Sequence, residues 1–123
     1  MEIKNREQIE SEVRSILSFH VGQEKAISRW ELVQRVFGRD AAANRSNNNP
    51  FDRQIRTVIE KYRDVDLIVS SSGSSGYWLA ASMDDIEVIA QEYVNRSRKM
   101  EERARNLRRH GVEKFGPQIA MPL

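Results

Sequence analysis

Apolar residues recur at helical spacing through the first half of the chain. Ile9, Val13, Ile16 and Leu17 share one side of the stretch from Glu7 to Phe19, with Arg6, Glu10, Glu12 and Arg14 elsewhere, which predicts an amphipathic helix closed by Gly22. Ser28 and Glu31 stand three apart, flanked by Ile27 and Leu32, the pattern of a capping box with a hydrophobic staple. A second helix is therefore predicted from Arg29 to about Phe37, ended by Gly38. Residues 39–49 are polar and asparagine-rich and read as a loop. Asn49 then suits an N-cap, Pro50 a first helical position and Asp52 the positive end of a helix dipole. Ile55, Val58, Ile59 and Tyr62 follow at i, i+3, i+4 and i+7, so a third helix runs to about Arg63.

The period then changes. Leu67-Ile68-Val69 and Tyr77-Trp78-Leu79 are short β-type runs joined by a Ser/Gly stretch, which predicts a hairpin. Ser82, with Asp84 and Asp85 behind it, starts a fourth helix that meets no glycine or proline until Gly111. Its apolar seam is Ile86, Ala90, Tyr93, Ser97, Met100, Ala104 and Leu107, in alternating steps of four and three as in a coiled coil. About 27 residues at roughly 1.5 Å each give a rod of about 40 Å. The expected fold class is mostly α with a small β-hairpin: a winged helix-turn-helix over residues 1–82, a long basic helix over 83–111 and an extended tail over 112–123.

Charge sharpens this division. Residues 1–94 hold 12 Lys/Arg against 15 Asp/Glu, a net of −3, whereas residues 95–123 hold 8 against 3, a net of +5. The pI of about 9.1 is thus a property of the C-terminal quarter. The 123 residues include no cysteine, which excludes disulfides and thiolate metal sites and makes a reducing, cytoplasmic setting the simpler expectation. No stretch is long and apolar enough for a signal peptide or a membrane span. His20 and His110 lie far apart, no histidine sits near the serine cluster, and no phosphate loop, carboxylate pair or metal spacing occurs. The reading is a non-enzyme without metal or cofactor.

Residues 27–38 (ISRWELVQRVFG), 50–63 (PFDRQIRTVIEKYR) and 67–80 (LIVSSSGSSGYWLA) together resemble small phage-type winged-helix proteins, whose Ser/Gly-rich wing ends in Gly-Tyr-aromatic-Leu and leads into a basic helix. The resemblance implies double-stranded DNA binding in phage or prophage replication or transcriptional regulation, with the third helix in the major groove and the wing along the backbone. With the apolar residues of that helix inward, Arg53, Thr57 and Glu60 face out, flanked by Gln54, Arg56 and Lys61. Arg53 and Gln54 are the candidates for base edges. Arg56, Thr57, Lys61 and the wing serines Ser71, Ser72, Ser74 and Ser75 are the candidates for phosphates. Arg96, Lys99 and Arg103 on the basic helix extend the candidate phosphate footprint, in competition with homodimerisation through Met100, Ala104 and Leu107. The closing residues, Gln118-Ile119-Ala120-Met121-Pro122-Leu123, resemble the bacterial sliding-clamp-binding peptide, which implies a clamp partner for Gln118, Ile119, Met121 and Leu123. Because Asp52, Glu60, Asp64 and Asp66 offset the basic residues around the third helix, a protein-interaction adapter of the same fold, without DNA binding, is the alternative.

Overall fold

The computed structural model of the protein describes residues 3–71 and 76–116 and divides into two compact units, Met1–Ile86 and Glu87–Leu123. The first unit contains α1 (Arg6–Leu17), α2 (Arg29–Phe37), α3 (Pro50–Tyr62) and an antiparallel hairpin of β1 (Ile68–Ser71) and β2 (Gly76–Leu79). The helix α4 (Met83–Phe115) starts at the end of the first unit and makes up the described part of the second. The chain is mostly helical with one small hairpin and a long C-terminal helix. Among the described residues no helix is long and apolar enough to cross a membrane.

Each helix begins where its sequence supplies a cap. The Ser28 hydroxyl accepts the Glu31 N–H at 3.1 Å, so the Ser half of the expected box forms, while the Glu31 carboxylate pairs instead with Arg35 one turn on. A complete capping box stands at α1, where Asn5 and Gln8 bond each other's backbone N–H at 2.8 and 2.9 Å. The helices bury the sides their periodicity predicts: Ile9, Val13 and Leu17 of α1, Leu32, Val33 and Val36 of α2, and Ile55, Val58 and Ile59 of α3. Ile27, Ile68 and Tyr77 complete the core. Burying a side chain of this size stabilises by about 1.5–3 kcal/mol relative to leaving it in water.

Three departures from the expected layout have physical causes. The polar 39–49 segment starts with a 3-10 turn at Arg39–Ala42 that buries Ala41 and Ala42. Leu67, expected to open the first strand, takes φ +57°, a left-handed turn out of α3 that delays the pleat to Ile68. Gly111 does not stop α4. A lone glycine costs a helix only about 1 kcal/mol, and the stop comes at Gly116, which takes φ +86° while its N–H reaches the Val112 carbonyl at 2.8 Å. The tail expected from residue 112 therefore starts as helix.

The connection between α1 and α2 pairs with the free side of β2. Ile27 and Tyr77 exchange both backbone bonds at 2.9 Å, and the Gly22 N–H donates to the Leu79 carbonyl at 2.8 Å. Gly76 makes this close approach feasible. It sits at φ +82°, and a Cβ there would lie 2.0 Å from the Ile27 carbonyl oxygen.

Candidate nucleic-acid interface

The loop before α3 is tied down by one fully enclosed side chain. Asn49, 1% exposed, accepts the Phe51 and Asp52 N–H groups at 2.8 and 3.2 Å and donates through Nδ2 to the carbonyls of Ala41 and Asn44, both at 2.7 Å. One amide thus caps the helix and closes the loop that leads to it. All of its hydrogen-bonding atoms are engaged within the fold.

Asp52, one turn into α3, is 0% exposed and would be costly to bury without cations. Arg29, from the first turn of α2, grips it bidentately, Nε to Oδ1 at 2.8 Å and Nη2 to Oδ2 at 2.7 Å. Arg56, one turn further along α3, sets its Nε 2.9 Å from the same Oδ2. Both guanidiniums also hold the loop: Arg29 donates to the Asn47 side-chain oxygen and Arg56 to the Asn47 carbonyl, each at 2.9 Å. Hydrogen bonding to Asp52, partly offset by burial, raises the pKa of Arg29 above its ordinary value, so the charge is locked in. Two guanidiniums on one carboxylate leave the cluster with net positive charge. Fork geometry keeps further N–H donors on each arginine beyond those bonds.

The outer side of α3 is as the helical wheel requires. Arg53, Gln54, Arg56, Thr57, Glu60 and Lys61 are all exposed. They are not equivalent. Among the described residues Arg53 has no ion-pair partner and stands beside the Arg29–Asp52–Arg56 cluster on the first turns of α3, after a loop that carries the exposed Arg45. Gln54 and Thr57 bond back to the carbonyls of Pro50 and Arg53, at 3.4 and 3.0 Å. Lys61 is committed to α1: its Nζ lies 2.7 Å from Glu10 and 5.3 Å from the centre of the Tyr62 ring. The Lys61 hydrogen bond holds the Glu10 carboxyl below its ordinary range, against some desolvation, and Lys61 is raised in return. Glu60 faces Arg63 at 3.5 Å and Asp66 grips Arg14 at 2.7 Å. The carboxylates near α3 therefore do not cancel its arginines uniformly. They neutralise the C-terminal end and leave the N-terminal end positive.

Sequence reasoning did not find Arg29 or the burial of Asp52. A signal existed in the Arg29-Trp30 pair at the start of α2, where the guanidinium also stacks 4.5 Å over the indole, but nothing in a single sequence says which carboxylate it meets. Of the wing candidates, Ser71 closes β1, whereas Ser72, Ser74 and Ser75 lie outside the described residues. Gln118, Ile119, Met121 and Leu123 of the tail also lie outside them. On the second unit Arg96, Lys99 and Arg103 are exposed along α4, Arg96 lying 5.4 Å from the Tyr93 ring.

A groove of about 580 Å³ lies on the first unit, lined by Ile3, Val36, Phe37 and Phe51 with Arg35 and Gln54 at its polar parts. Among the described residues no cluster of His, Asp or Glu has the proximity that a metal ion requires. His20 sets Nδ1 2.7 Å from the Lys25 carbonyl, which places the ring proton on that nitrogen and makes the histidine a fastener of the α1–α2 turn. No protein family, curated protein or solved structure matches the chain.

Proposed function

We propose that the first unit is a winged-helix module that binds duplex DNA without catalysis. The loop at 44–48 and the first turns of α3 form the phosphate- and base-contacting surface. The observation that carries this reading is the Arg29–Asp52–Arg56 cluster with the exposed Arg53, unpaired among the described residues, beside it. A buried carboxylate fixes two guanidiniums at the start of an exposed helix, which lowers the ordering cost of donating to phosphate. Arg53 and Gln54 then stand where base edges are read in this kind of module, and Thr57 beside them. Lys61, held by Glu10, contributes less than its charge suggests. Ser71, Ser72, Ser74 and Ser75, together with Arg96, Lys99 and Arg103, add phosphate contacts. The setting that fits is phage or prophage replication or transcriptional control in a bacterial cytoplasm, with residues 118–123 recruiting the sliding clamp.

Fluorescence anisotropy of a labelled duplex titrated with the full chain tests the reading. Micromolar or tighter binding at low salt, weakening linearly on a log–log plot as salt is added, is expected. Arg53→Ala, which removes no internal bond, weakens binding about tenfold, and adding Arg56→Ala weakens it further. Absence of binding at low salt, or full affinity in the double variant, contradicts the assignment.

The second reading is a protein-interaction adapter, favoured by the apolar groove at Val36, Phe37 and Phe51. It is preferred if Phe37→Ala abolishes capture of a host protein by a chain that does not bind DNA.

A further inference from the structure

α4 has 33 residues and buries none of them. An isolated helix in water draws little stability from backbone hydrogen bonding alone and normally owes it to a packed apolar side. Tyr93, Met100 and Leu107 nevertheless stand 48, 73 and 64% exposed, seven residues apart on one side. Ile86 extends this series backwards by another seven. Between these large residues fall Ala90, Ser97, Ala104 and Gly111, also seven apart and all small. A heptad with large residues at one core position and small ones at the other is half of a complementary surface.

We infer that α4 is the dimerisation element of the protein and pairs antiparallel with a second copy of itself. Parallel pairing sets like against like, so Ala90, Ser97, Ala104 and Gly111 each meet themselves and leave voids that alternate with crowded large pairs. Antiparallel pairing sets one core position against the other. With the two-fold axis between Arg98 and Lys99, Ile86 meets Gly111 of the second copy, Ala90 meets Leu107, Tyr93 meets Ala104 and Ser97 meets Met100, and the same four pairs recur by symmetry. Every layer joins one large side chain to one small one. A slip by one heptad in either direction keeps the large-on-small rule but leaves three distinct pairs instead of four, so full overlap fixes the register.

Charge does not make this choice. In the antiparallel arrangement Glu87 approaches Arg108 of the second copy, which attracts, and Arg96 approaches Arg103, which repels. The parallel arrangement is just as divided, with Arg96 near Glu101 and Arg103 near Arg108. Size complementarity therefore sets the orientation, and the dimer is only weakly sensitive to salt. That property separates it from DNA binding, and the inference stands independently of the proposed function.

Sedimentation equilibrium of the full chain without DNA, at low and high salt, tests the association. A dimer at micromolar concentration is expected under both conditions. Leu107→Ala leaves two voids per dimer and Ala90→Leu overpacks the same two layers, so each weakens association at least about tenfold. The swap Ala90→Leu with Leu107→Ala rebuilds those layers with the sizes exchanged and restores association. Because the chain has no natural cysteine, orientation is read by mixing Ala90→Cys and Leu107→Cys chains under oxidising conditions. The mixed 90–107 disulfide is expected. Homotypic 90–90 or 107–107 products, a swap that rescues nothing, or a monomer at about 100 μM overturns the inference.

Discussion

The two units use apolar residues in opposite ways. In the first, side chains spaced by three and four along three short helices converge on Ile27, Ile68 and Tyr77 and leave the water almost completely. In the second, the same spacing runs along a single helix and leaves Tyr93, Met100 and Leu107 in solvent. A periodic apolar stripe marks the side of a helix suited to packing, but not whether that packing is found within the same chain. Charge follows the same division. The first unit pairs its charges across elements, Lys61 with Glu10, Arg14 with Asp66, and Arg29 with Asp52, whereas among the described residues no Lys or Arg of α4 is paired with a carboxylate, and His110 Nδ1 lies 3.6 Å from Glu113 within one turn.

Substitutions in the two units have graded effects. Gly76→Ala has the largest expected effect, because its Cβ runs into the Ile27 backbone at a positive φ. Loss of roughly 4 kcal/mol of unfolding free energy is expected in urea denaturation of the first unit. Asp52→Ala follows at about 3 kcal/mol, since it strands the Arg29 and Arg56 guanidiniums against each other; the readout is the same denaturation midpoint. Glu10→Gln acts less, and through pH. Glu10 is held below its ordinary value of 4.5, so its contribution is complete above that value and is lost as pH falls through the lowered one. Thermal melts of the wild type between pH 6 and 3 should therefore fall more steeply than those of Glu10→Gln. Leu107→Ala completes the series with a change of under about 0.5 kcal/mol in the unfolding of the first unit, because the side chain is outside its core.

Much of the first unit was legible because its signals are local. Ser28 and Asn49 cap the helices they were expected to cap, Ile55, Val58 and Ile59 point inward, and the residues opposite them are exposed. The elements that escaped depend on long-range geometry. The backbone pairing of Ile27 with Tyr77 spans fifty residues of chain and carries no periodic signature in so short a segment. Leu67 reads as a strand residue by type but occupies a left-handed turn, since the chain must reverse after α3. The candidate site shows the same limit: the wheel placed Arg53, Gln54, Arg56 and Thr57 on the exposed side of α3, but Asp52 read only as an acid of the first turn, and the fold makes it the buried anchor of two arginines. The wheel placed Lys61 beside the outward face of α3 but carried no sign of its pairing with Glu10 of α1, fifty-one residues away.

Contact of duplex DNA with the N-terminal end of α3 and its preceding loop is read residue by residue from amide chemical-shift perturbation of the labelled full chain on adding a duplex at low salt. Shifts concentrated between Asn44 and Thr57 and at Arg29, reversed by added salt, are expected. Shifts centred on the groove at Val36, Phe37 and Phe51, or confined to α4, would contradict this contact.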